Sequence, residues 1–222
     1  MPTEITVHGA ATAHEPPERG IVHATVAYEG PDMEPVYERV ARDVEAVKQS
    51  VDALRSGENG AVTRWSAQTI RTWSTRPWNE KGKQLPLVHH ARVELEVEFG
   101  DFTALSRWLA AHIDATPGVH VSHVQWTLTT ERREELLKQV RTEAVKDAAR
   151  RAQQYADALE LGDVRPIAIA DSGLLGTGSR TGGEREIGLM AAPRSVGSAP
   201  EIEFEPQDIK VSATVDARFV VG

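Results

Sequence analysis

The residues best suited to chemistry sit in the middle third of the chain: His89, His90, His112, His120 and His123, with the carboxylates Glu94, Glu96 and Glu98. Imidazoles and carboxylates are the usual zinc ligands and general acids or bases, so several of them converging would make a metal centre or a proton-transfer site. Their spacing argues against both. On a strand, His120 and His123 are three apart and point to opposite faces unless a β-bulge intervenes. Glu94, Glu96 and Glu98 alternate along one strand face, which is how a solvated face carries its charge. His89 falls on the apolar side of that strand and reads as a hydrogen-bonded core residue.

The run Gly176-Thr177-Gly178-Ser179-Arg180-Thr181-Gly182-Gly183 has the composition of a phosphate loop. It lacks the Gly-Lys-Ser/Thr ending, and no periodic helix follows to hold an anion at its N-terminus, so it reads as flexible linker. There is no Gly-x-Ser-x-Gly elbow. The absence of cysteine removes disulfides, thiolate metal sites and cysteine nucleophiles. Around one hairpin, Trp65 and Trp73 read as core filling, and Trp78 as an exposed contact residue. No catalytic, cofactor-binding or metal-binding position is assigned on these grounds.

The composition narrows the function classes further. A chain of 222 residues with 40% apolar and 26% charged residues is an ordinary globule. Its net charge of −8 speaks against nucleic acid and anionic membrane surfaces as partners, because both need clustered Lys and Arg. No run approaches 18 consecutive apolar residues, so no membrane insertion is expected. The start, Met1-Pro2-Thr3-Glu4-Ile5, has no basic region followed by an apolar one. A cytoplasmic location is the expectation, or a periplasmic or exported one if a leader was removed.

The elements that must position these residues follow from hydrophobic period. Ile5 and Val7 make a short first strand, and Gly9 to Gly20 reads as a turn. Val22, Ala24, Val26 and Tyr28 share one face of a second strand. From Asp32, an N-cap candidate, Val36, Val40, Val44, Val47, Val51 and Leu54 follow helical spacing until Gly57. Val62 to Trp73 reads as one strand with Trp65, Ala67, Thr69 and Trp73 on one side, and Ser74 to Pro86 as a hairpin loop. Leu87 to Phe99 alternates most cleanly, giving a buried face and a wet, acidic face. Asp101 caps a helix carrying Phe102, Leu105, Trp108, Leu109 and Ile113. In Val119 to Leu128 the apolar parity switches, which predicts a bulge near Ser122.

The longest signal is a helix of about 31 residues, from Thr130 and Glu131 to Leu161. Leu136, Val140, Ala144, Ala148, Ala152, Ala156 and Leu159 recur at spacings of four, the last of three, a mostly alanine stripe that lets a helix lie close against a sheet. Gly162 is the expected stop. A short strand, Pro166 to Asp171, follows. Ser172 to Glu205 is glycine-rich and aperiodic and reads as a mobile arm. Ile209 to Phe219 alternates as a last strand, and its end, Phe219-Val220-Val221-Gly222, apolar to the tip and without proline, reads as an open edge for a second copy. Residues 1–222 are thus read as a single domain: a core over 21–128, a long helix and strand over 129–171, an arm over 172–205 and a terminal strand over 206–222.

From Ile21 to Leu128 the order is strand, helix, strand, strand, helix, strand, the split βαβ arrangement of ferredoxin-like α+β folds, an antiparallel sheet that the first strand, the long helix and the last strand would extend. The segments Glu143-Ala144-Val145-Lys146-Asp147-Ala148-Ala149-Arg150-Arg151-Ala152, Tyr155-Ala156, and Leu161-Gly162-Asp163-Val164 with Ile167 and Ile169 resemble the SIMPL-domain family, which includes the YggE-like bacterial proteins. Ile5-Thr6-Val7-His8-Gly9 and the last strand resemble that family's ends. Family members usually carry an export signal and an aromatic residue early in the fourth strand, where this chain has Val88 to His90. The resemblance implies an α+β fold, assembly into homo-oligomers, links to stress protection and to kinase signalling, and no catalytic residues. Two readings follow. One is a non-enzymatic assembly protein whose partner is itself; the other is a small-ligand or metal-binding protein, or an enzyme, using a histidine-containing pocket near the third to fifth strands.

Overall fold

The computed structural model describes residues 2–56, 60–78, 84–175 and 206–221. Their elements, in chain order, are β1 (Thr3–Glu15), β2 (Arg19–Gly30), α1 (Met33–Arg55), β3 (Val62–Ala67), β4 (Arg71–Thr75), β5 (Val88–Phe99), α2 (Phe102–Ala115), β6 (Val119–Thr127), α3 (Thr130–Ala158), β7 (Arg165–Asp171) and β8 (Ile209–Val221). They divide into two compact units. One holds β1, α3, β7 and β8; the other, Pro17–Leu128, holds β2 to β6 with α1 and α2.

In the Pro17–Leu128 unit the strands lie in the order β3-β5-β2-β6, all antiparallel, with β4 also on β5. This is the order of the split βαβ fold read from the sequence. Alternation decides the faces: Val22, Ala24 and Val26 of β2 and Ala91, Val93, Leu95, Val97 and Phe99 of β5 are buried together. Val36, Val40, Val47 and Val51 of α1 and Leu105, Trp108 and Leu109 of α2 close over them. Each large apolar side chain buried this way is worth about 1.5–3 kcal/mol. Asp101 starts α2 by accepting from the Thr103 and Ala104 N–H groups at 2.9 and 3.0 Å, whereas Asp32 sits at the α1 N-cap without a side-chain cap bond. The opposite sheet face carries no helix of this unit.

The other unit is a three-stranded antiparallel sheet, β1-β8-β7, with α3 on one face. Ala144, Ala148, Ala152 and Ala156 are fully buried against Ile5, Val7, Val215, Ala217, Phe219 and Val221. Gly9 makes the close approach feasible: a Cβ there would lie 2.2 Å from the Ala144 carbonyl oxygen and 2.7 Å from the Ala148 Cβ.

Several expectations are corrected. The first strand does not stop at Gly9: Ala10 to Glu15 continue the ladder against Thr214 to Ile209, a pairing supplied from the far end of the chain. The first and last strands do not extend the five-stranded sheet but pair with each other in a second one. Val62 to Trp73 is two strands, because one extra residue enters between Ala67, opposite Leu95, and Arg71, opposite Arg92. That slip turns Trp73 away from the core, leaving it 43% exposed, while Trp65 stays packed against it. Trp78 is exposed as expected, at 82%.

The α3 helix is capped by Thr129, which accepts from the Arg132 N–H, and it ends at Ala158, short of the expected Leu161, so Leu159 leaves the packed stripe and is 63% exposed. Glu160 takes the left-handed position at φ 55°, with Glu160 N–H to Asp157 and Leu161 N–H to Ala156 completing a Schellman turn. The glycine-rich segment read as an arm lies, from 176 to 205, outside the described residues. The bulge expected near Ser122 is present: His23 faces His123 and Ala24 faces Val121, so Ser122 is the extra residue.

Candidate functional site

The face of the five-stranded sheet opposite α1 and α2 is the most functionally furnished surface of this unit among the described residues. The bulge at Ser122 brings His120 and His123 to the same face, opposite Thr25 and His23. The imidazoles of His23 and His123 stack at 4.4 Å between centroids and 12° between planes. His23 Nε2 lies 3.2 Å from Gln125 Oε1, and its Nδ1 lies 3.5 Å from Glu96 Oε1. Arg92 reaches across from β5, donating to Thr25 Oγ1 at 3.3 Å and pairing with Glu94 at 3.2 Å.

These groups line two adjoining concavities. One, of about 340 Å³, is bounded by His23, Thr25, Gln68, Arg92, Glu96 and His123. The next, of about 330 Å³, shares Gln68, Arg92 and Glu94 with it and continues to Arg71 and Trp73. Trp73 stacks on His90 at 5.1 Å, and His90 Nε2 is 2.8 Å from Thr75 Oγ1. His89 bonds Ser74 Oγ at 2.7 Å as expected, but it is only half-buried and lies outside the apolar core in which the sequence places it. Glu98 is held by Arg19 and Arg64 and so belongs to the ion-paired surface. The groove offers donors and acceptors to a polar ligand. Its imidazoles are stacked instead of convergent, and among the described residues no group of three or more His, Asp or Glu is placed to hold a metal ion.

Residues 5–219 match the SIMPL family, whose description is a protein of unknown function (DUF541). The chain belongs to the SIMPL family. No curated protein matches it. The matched span runs from β1 to β8, so in this SIMPL protein both units belong to the family region. None of its described helices is long and apolar enough to cross a membrane.

Two further polar clusters of the SIMPL chain invite a catalytic reading and fail it on geometry. Ser50 Oγ is 2.8 Å from His112 Nε2, as a nucleophile and its base would be. The hydroxyl also contacts the Val47 carbonyl at 2.7 Å and accepts from Trp108 Nε1 at 3.0 Å. A carbonyl can only accept, so the single hydroxyl proton goes to Val47 and His112 is the donor. Its buried Nδ1 then has no partner, and burial pushes the imidazole pKa down. The cluster ties α1 to α2. In the second, Tyr28 donates to buried Asp43 at 2.6 Å, and Arg42 Nε lies 3.4 Å from the same carboxylate. Burial, then the Asp43 hydrogen bond, raises the Tyr28 pKa, so the phenol keeps its proton and serves as a donor.

Sequence reasoning missed Arg92, Gln68 and Trp73 as groove residues. The parity switch in β6 signalled the histidine pair; the slip between β3 and β4 left no equivalent mark, because Gln68-Thr69-Ile70 lacks a glycine or proline.

Proposed function

We propose that this SIMPL protein is a non-enzymatic assembly protein that forms homo-oligomers through the outer strands of its sheets. The observation that carries the reading is β1: thirteen residues on an outer edge, with no proline, lysine or bulge, paired only with β8 among the described residues. Such an edge presents N–H and C=O groups that a second copy can satisfy, and natural sheets usually blunt edges that are meant to stay free. The net charge of −8 opposes association at long range, but salt near 0.15 M screens it beyond about 8 Å. A closed symmetric assembly leaves no edge to grow into fibres. Light scattering coupled to size exclusion tests this: the expected mass is a fixed multiple of 24.3 kDa, and one-chain mass throughout a micromolar dilution series overturns it.

A second reading, a binding site for a small polar ligand, is favoured by the bulge that sets His123 against His23 beside Arg92 and Glu96. Native mass spectrometry of the purified protein and titration calorimetry with divalent metals separate the two. A stoichiometric retained ligand or ion supports the groove; its absence, with an oligomer by light scattering, leaves assembly as the role.

A further inference from the structure

Six of the eleven exposed large apolar side chains among the described residues follow one another along the chain from the end of α3 through β7. Tyr155 and Leu159 at the end of the helix, Leu161 just after it, Ile167 and Ile169 on β7, and Leu174 beyond it are all more than a third exposed. Patches of this kind mark contact surfaces. β7 is also an outer strand, so among the described residues its free edge has no ladder partner.

We propose that β7 is a two-fold contact, pairing antiparallel with β7 of a second copy about Ala168. The assembly reading above is assumed, and this inference names the surface and the register. The strand itself favours a second copy as occupant, because it is complementary to its own reverse. Reading Arg165-Pro166-Ile167-Ala168-Ile169-Ala170-Asp171 against itself about Ala168 sets Arg165 opposite the partner subunit's Asp171 at both ends. Ile167 then faces the partner subunit's Ile169, a β-branched cross-strand pair on each side of the axis. A shift of one residue would oppose Arg165 to Ala170 or Ser172 and lose both charge pairs, so charge selects the register.

Neither Arg165 nor Asp171 takes a side-chain ion pair among the described residues, which leaves both charges available. Pro166 and the ladder irregularity before Ala168 are the devices that discourage indiscriminate edge pairing. Both lie inside the self-paired stretch, Pro166 opposite the partner subunit's Ala170 with no N–H to give and Ile167 without a β8 partner, so the contact rests on side-chain pairing and end charges more than on a full ladder. The isologous contact closes on itself, joining two three-stranded sheets into six strands and covering the isoleucines.

The chain has no cysteine, so Ala168→Cys introduces a lone thiol on the proposed axis. Opposed residues in an antiparallel pair have Cα atoms about 4.5–5.5 Å apart, within disulfide range. Mild oxidation should convert most of this variant to a covalent dimer, while Lys48→Cys on α1 stays single-chain. Arg165→Asp should weaken association at least tenfold by light scattering, and adding Asp171→Arg should restore it, with circular dichroism confirming that each variant folds. A single-chain parent overturns assembly altogether. An oligomeric parent whose mass ignores Arg165→Asp and whose Ala168→Cys does not cross-link overturns this contact alone, which is also the result expected if the patch is covered from within the chain. Cross-linking at Ile167→Cys or Ile169→Cys in place of Ala168→Cys overturns the register.

Discussion

The two antiparallel sheets are covered by helix in opposite ways. Over the five-stranded sheet, α1 and α2 present valine, leucine and tryptophan, and stability comes from volume filled and apolar area removed from water. Over the three-stranded sheet, α3 presents four buried alanines, and Gly9 lets the main chains approach until one added methyl group would collide. Each alanine buries little area. The 29-residue helix compensates with length, with low side-chain entropy cost and with the dispersion contacts of close approach. One surface should therefore be sensitive to losing atoms and the other to gaining them.

That contrast can be tested from both sides. Phe99→Ala, which empties a fully buried site in the β5 core, should cost roughly 3–5 kcal/mol in denaturant unfolding. All five tryptophans lie between Trp65 and Trp126, so fluorescence follows that unit while far-ultraviolet dichroism follows both. Ala148→Leu or Ala152→Leu should cost roughly 1–3 kcal/mol by overpacking, with Gly9→Ala at the upper end, and should shift the dichroism midpoint more than the fluorescence midpoint. Coincident shifts would show that the units unfold as one and would blunt the comparison.

A smaller effect comes from pH. Asp216 accepts from His8 at 2.8 Å and from the Gly173 N–H at 2.6 Å, and these bonds, His8 first, hold its carboxyl below the ordinary value of 3.8. A depressed folded pKa contributes stability that is complete above the unfolded value and is lost as pH falls through the folded one. The α3 unit should therefore lose stability below about pH 4, and Asp216→Asn should flatten that acid limb in melts between pH 5 and 2.5. The smallest change is a gain. Glu160→Gly relieves a left-handed side chain at the α3 terminus and should raise stability by up to about 1 kcal/mol in thermal melts.

Legibility from sequence followed the same division. The β5 alternation and the α3 alanine stripe were plain because burial on one face imposes a period, and the bulge at Ser122 was plain because it breaks one. Ala10 to Glu15 lacks apolar contrast and hid half of β1, whose partner lies at the other end of the chain. For the same reason β8, apolar to its tip, looked like a free edge although it is the central strand of its sheet. In the groove, the histidine pair could be anticipated, but Trp73 and Arg92 meet through a ladder slip that only the paired strands reveal.

The placement of β8 also sets a timetable. β1 is synthesised early, yet the strand it pairs with along its whole length follows roughly 200 residues later, a delay of about 10–40 s at ordinary elongation rates. The Pro17–Leu128 segment is contiguous and can close while translation continues. β1 must wait through that interval without its ladder partner, and it is then that a holdase chaperone, or a neighbouring nascent copy, would find the thirteen-residue strand open on both sides.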